Sequence, residues 1–139
     1  MNTKFTSLVK LKKSTMQKSE KVVQKANANL NSAATALKIS YNSLKDVDAP
    51  ASGTMGDFLA SRTLLDSQRG LIKHNTEWVD FAKSQVQEAK EQFKKDMIEH
   101  EKFKYLELEE IKKEIKKIKV QEAKDLDEVA LMTYSKKII

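Results

Sequence analysis

Two histidines, His74 and His100, and a crowd of carboxylates near residue 110 are the side chains here with the strongest claim to chemistry. A metal site on a helix wants ligands about one turn apart, and neither histidine has a second ligand at such a spacing. His100 instead continues an apolar row, so both histidines read as structural or solvated. Glu107, Glu109, Glu110 and Glu114 alternate with Lys112, Lys113, Lys116 and Lys117 at helical spacing. That is the pattern of a solvated face laced with ion pairs worth about 0.2–0.5 kcal/mol each. With no cysteine there is no thiolate nucleophile, zinc thiolate or disulfide. No glycine-rich phosphate loop or nucleophile elbow occurs either. The expectation is a protein that is not an enzyme, with no catalytic residue, no metal and no cofactor.

The positioning elements are far clearer than any chemistry. Val9, Met16, Val23, Leu30, Leu37 and Leu44 stand seven apart, and Leu65, Ile72, Val79, Val86 and Phe93 repeat the interval beyond the one Pro-Gly stretch. A sustained seven-residue repeat keeps one seam of a helix against a partner and imposes a left-handed supercoil. The predicted fold is all-α: a single long two-helix antiparallel coiled-coil hairpin over residues 1–139. Helix one runs from about residue 4 to 45, the turn spans 46–57, and helix two runs from about 58 to 135, with an overhanging C-terminal end. At 1.5 Å per residue the helices are roughly 63 and 115 Å long. Pro50 cannot continue a helix and biases Ala49 away from helical dihedrals, while Asp57 is placed to cap helix two. A rod of this kind has no cleft for catalysis, so its work is holding, inserting or docking.

A second row on helix one, Phe5, Lys12, Ser19, Ala26, Ala33 and Ser40, consists largely of small or polar residues. It predicts a loosely filled seam in which the two alanines permit close approach and Lys12, Ser19 and Ser40 lower stability, an ordinary coiled-coil imperfection. Folding the two leucine-type rows about the turn sets Leu44 beside Leu65 and Met16 beside Phe93, which exhausts helix one near His100. Residues from about Glu101 are then expected to lack an intrachain partner. To reach Leu108 and Ile111, the row must pass through Phe93, Met97, His100 and Lys104, a stutter that locally unwinds the supercoil. Leu108, Ile111, Ile115 and Ile118 form an apolar stripe that either another protein or a second copy would cover.

The chain has 139 residues and a net charge of +6. Residues 1–45 carry nine lysines and one acid, a net +8, and residues 46–139 carry seventeen basic and nineteen acidic residues, a net −2. The basic excess could attract an acidic surface. Nucleic-acid binding is not expected, because the lysines are scattered, no arginine cluster exists and no aromatic platform interleaves them. Membrane contact is expected only peripherally: no window reaches a membrane span and the opening residues lack a signal-peptide core. A cytoplasmic protein is the default.

The segment Glu122-Ala-Lys-Asp-Leu-Asp-Glu-Val-Ala-Leu-Met-Thr-Tyr134 resembles the end of the flagellar export protein family FliJ, with Leu126, Asp127, Glu128 and Ala130 matching its Leu-Asp-Glu-x-Ala-like run. The opening Phe5-x-x-Leu8-Val9-x-Leu11 and the following lysine-rich helix are similar to the family's start. The resemblance covers nearly the whole chain and implies a non-enzymatic central stalk of the flagellar type III export apparatus. Its implied partners are the pore of the hexameric export ATPase, the export gate protein FlhA and export chaperones, at the cytoplasmic side of the inner-membrane basal body. It implies that Leu108, Ile111, Ile115, Ile118 and Leu126 are sheathed by the ATPase ring, where the residues alone also allow self-association. The family's gate-binding pattern falls on Leu64, Gln68, Leu71 and Asn75. Gln68 and Asn75 depart from it in kind, so Leu64 and Leu71 are the residues carried over. A coiled-coil adaptor or scaffold unrelated to secretion, or the stalk of a virulence type III system, is the alternative.

Overall fold

A computed structural model describes residues 2–47 and 50–138, with side chains through Lys136. Two α-helices make up the fold, α1 over Thr6–Lys45 and α2 over Met55–Ile138, with no strand among the described residues. No glycine or proline interrupts α1. It starts where the Thr3 backbone N–H donates to Thr6 Oγ1 (2.8 Å) and the Thr6 N–H donates to the Thr3 carbonyl (3.2 Å). It ends on Lys45, a cation that suits the negative pole of the helix. The expected influence of Pro50 on Ala49 lies outside the described residues.

Helix α2 starts three residues earlier than the position of Asp57 predicts. Thr54, not Asp57, is the cap: its Oγ1 accepts from the Asp57 backbone N–H at 3.2 Å, and its own N–H donates to Asp57 Oδ2 at 3.0 Å. This is a reciprocal capping box with an aspartate in the return position. Asp57 therefore sits inside the first turn, where its charge also meets the positive pole of the helix.

The chain divides into two compact units. In the unit Gln17–Lys95 the two helices run antiparallel. One cluster joins Ala26 with Val86 and Ala89, and the next joins Ala33 with Val79 and Ala82; Leu30 packs against both. The deepest residues on α1 are the small row, Ser19, Ala26, Ala33 and Ser40, with Ala33 fully buried at 0 % exposure. The leucine-type row, Val23, Leu30, Leu37 and Leu44, is half-buried and flanks it. Alanine facing alanine leaves only methyl groups between the backbones, so the axes approach closely and larger side chains are displaced to the edges. The row expected to be loosely filled is thus the centre of the interface.

In the unit Met1–Met16 with Asp96–Ile139, the start of α1 again runs antiparallel to α2. The Phe5 and Phe103 rings lie 6.4 Å apart at 45°, Lys12 Nζ stands 5.5 Å over the Phe103 ring, and Lys12 Nζ lies 3.8 Å from Glu99 Oε2. Asn2, Thr3 and Lys4 share a shallow depression with Glu110, Glu114 and Ile118. The expected loss of an intrachain partner from Glu101 is therefore corrected: α2 stays covered to about Ile111, and from Lys112 through Lys136 every residue is exposed. The expected stutter is corrected too. Among the covered positions, Asp96, His100, Phe103, Glu107 and Glu110 step four, three, four and three and continue the heptad, with Glu99, Leu106, Glu109 and Ile111 half-buried beside them, while Met97, Lys104 and Leu108 are exposed. Phe103 makes the aromatic contact that keeps the heptad in phase.

Candidate protein-binding surfaces

Polar residues inside the seam define what the helix pair can and cannot do chemically. Asn75 Nδ2 donates to Ser40 Oγ and to the Ala36 carbonyl (3.3 Å), and Ser40 Oγ donates to that same carbonyl at 2.8 Å. Ser40, expected to weaken the seam, is thus part of a closed three-group network spanning both helices. His100 is buried at 8 % exposure, its Nδ1 has no hydrogen-bond partner, and Glu101 Oε1 is 3.8 Å away. His74 lies apart, on the outer face of α2 beside Trp78. Among the described residues no group of three or more His, Cys, Asp or Glu is disposed to hold a metal ion. Nor is any helix among them long and apolar enough to cross a membrane.

What the fold does present is helix faces. Of the four positions on which the gate-binding pattern falls, Gln68 and Asn75 turn toward α1, Asn75 being buried, whereas Leu64 and Leu71 are exposed. Leu64, Leu71 and Trp78 follow one another at seven-residue intervals, and His74, Glu77, Trp78 and Phe81 line a shallow dish on that face. Trp78 and Phe81 were passed over in the sequence. The signal that finds Trp78 is the same interval, displaced by one residue from the covered row Leu65, Ile72 and Val79, and Phe81 lies three residues on, on the same side of the helix.

The second face runs from the last covered turns of α2 onto its uncovered end. Leu108 is 51 % exposed and Leu126 70 %, Ile115 and Ile118 are also exposed, and Ile111 alone of this set is half-buried, at the edge of the covered stretch. From Ile115 the stripe continues at Ile118, Leu126 and Val129, where the step between Ile115 and Leu126 is eleven residues rather than seven. An eleven-residue step keeps side chains on one face of a nearly straight helix.

Two packed α-helices with exposed apolar faces, and no strand among the described residues, define a helical-hairpin protein of the coiled-coil class. Comparison with known families makes this specific: the family described as flagellar FliJ protein matches residues 1–138, and the chain belongs to the FliJ family. No curated protein and no solved structure matches it. Membership of that family assigns the chain a general role in flagellar protein export and a non-enzymatic, coiled-coil character.

Proposed function

We propose that this chain is the stalk of the flagellar type III export apparatus, seating the uncovered end of α2 in the pore of the hexameric export ATPase. The observation that carries the reading is the exposed stripe Leu108, Ile115, Ile118 and Leu126, which runs from the last covered turns of α2 onto the end where every residue through Lys136 is exposed. A pore would remove that apolar surface from water at roughly 25 cal/mol per Å². A second surface, Leu64 and Leu71 extended by Trp78, docks to the export gate protein FlhA. Export chaperones complete the partners, with no residue assigned to them. The protein works at the inner face of the basal body and touches the membrane only through the gate.

The test uses two double variants of the full chain. Leu108→Asp with Ile115→Asp keeps the helix content, because both residues are exposed, and loses co-purification with the export ATPase while still binding FlhA. Leu64→Asp with Leu71→Asp does the reverse. Undiminished ATPase capture by the first variant overturns the pore reading, and undiminished FlhA capture by the second overturns the gate surface.

A further inference from the structure

The uncovered end of α2 carries a charge pattern that no part of the reading above uses. Residues 112–119 hold five lysines against Glu114, a net +4, and residues 121–129 hold four acids against Lys124, a net −3. Both blocks are exposed throughout, and the apolar stripe runs through both. We infer that this segment pairs with the same segment of a second copy, antiparallel, about a two-fold axis near Val120 and Gln121.

Charge selects the direction. A parallel pair would stack the basic block on the basic block, and an antiparallel pair sets each basic block beside the other copy's acidic block. The apolar residues agree with that register. With the axis between Val120 and Gln121, Ile115 falls at the depth of Leu126 of the second copy. Ile111 falls near Val129, and Ile118 falls opposite Ala123, a large residue against a small one. Glu122 interrupts the stripe at mid-length, and in this register its depth is that of Lys119 of the second copy. The interruption therefore occurs twice by symmetry, each time beside an opposite charge. A polar residue in an otherwise apolar seam fixes register and partner at some expense of stability. Lys116 lies at the depth of Asp125 of the second copy, which adds an ion pair, while Asp127 falls at the depth of Glu114, a like-charge pair that the register must tolerate. The interface is isologous and closes on itself, so it stops at two copies. It goes beyond the pore reading and competes with it, since one stripe cannot be covered twice.

The absence of cysteine makes a direct experiment available on the purified full-length chain. Ile115→Cys and Leu126→Cys copies are prepared separately, then alone and mixed under a mild oxidising buffer. The expected result is cross-linking in the mixture only, with sedimentation equilibrium of the unmodified chain giving twice 15.9 kDa. Glu122→Lys alone is expected to return the mass to a single copy, and Lys119→Glu with Glu122→Lys to restore the dimer. Cross-links formed by either cysteine variant alone indicate parallel pairing and overturn the proposal. So does a single-copy mass at all concentrations, or a failure of the double charge exchange to restore what Glu122→Lys removes. No ATPase enters these measurements, so their failure leaves the pore reading standing and its failure leaves them standing.

Discussion

Asn75 and His100 are buried polar residues in the two different seam rows of α2, and their surroundings give them opposite consequences. Asn75 donates across the interface to Ser40 and Ala36 of the facing helix, so its amide has exchanged water for protein acceptors. Removing it leaves Ser40, which is buried too, short of a donor. Asn75→Ala is expected to lower stability by about 1–3 kcal/mol. His100 has a buried Nδ1 with no hydrogen-bond partner, a desolvated group that gains little in return. His100→Leu is expected to raise stability by about 1 kcal/mol, since an apolar side chain suits a seam position without leaving a polar atom unpaired. Chemical denaturation of the two variants against the unmodified chain checks both signs. A gain for Asn75→Ala or a loss for His100→Leu would mean that the seam network is misread.

At the scale of elements, the turn is held by a small set of atoms whose geometry is specific. Gly53 adopts φ +153°, and a Cβ there would stand 2.6 Å from Asp57 Oδ2, the oxygen that receives the Thr54 N–H. Gly53→Ala must both strain the backbone and push Asp57 out of the capping box, at about 1–2 kcal/mol. A melting curve indistinguishable from that of the unmodified chain would contradict this. The turn was legible from Pro50 and its glycines, but the cap was not, because Thr54 and Asp57 are both good caps and only their reciprocal bonds decide between them. The leucine-type rows were legible because large apolar residues recur without a gap. The complementary row of α2, Ser61, Gln68, Asn75, Ala82, Ala89 and Asp96, was not, because most of its members are small or polar. Missing that row also misplaced the end of the pairing. Phe103 belongs to it, and reading Met97 and Lys104 as seam residues replaced an unbroken heptad with a stutter. Of the candidate binding residues, the stripe beyond Leu108 was visible as spacing, whereas Trp78 and Phe81 needed the observation that their face of α2 is uncovered.

For the molecule as a whole, stability is distributed unevenly along one continuous helix, and the distribution follows the burial. Within Gln17–Lys95 the alanine-centred clusters tie α2 to α1, so amide opening there requires separating the helices. From Lys112 to Lys136 every residue of α2 is exposed, with only Glu114 and Ile118 bordering the start of the chain at Asn2, Thr3 and Lys4, and with local pairs such as Gln121 Nε2 to Asp125 Oδ1 at 3.0 Å. This stretch propagates from the packed part of α2, but without a packed face it is held by helix propensity alone and frays from its free end, since most helical stability in proteins comes from tertiary packing. Hydrogen exchange on the dilute single-copy chain is therefore expected to be at least about two orders of magnitude faster over residues 112–136 than over 75–93. Covering the stripe should slow exchange there selectively, whether the cover is the ATPase pore or a second copy, while residues 75–93 stay unchanged. Equal protection of both stretches in the dilute chain would show that residues 112–136 already possess a partner, and both the pore reading and the self-pairing register would lose the vacant surface on which they rest.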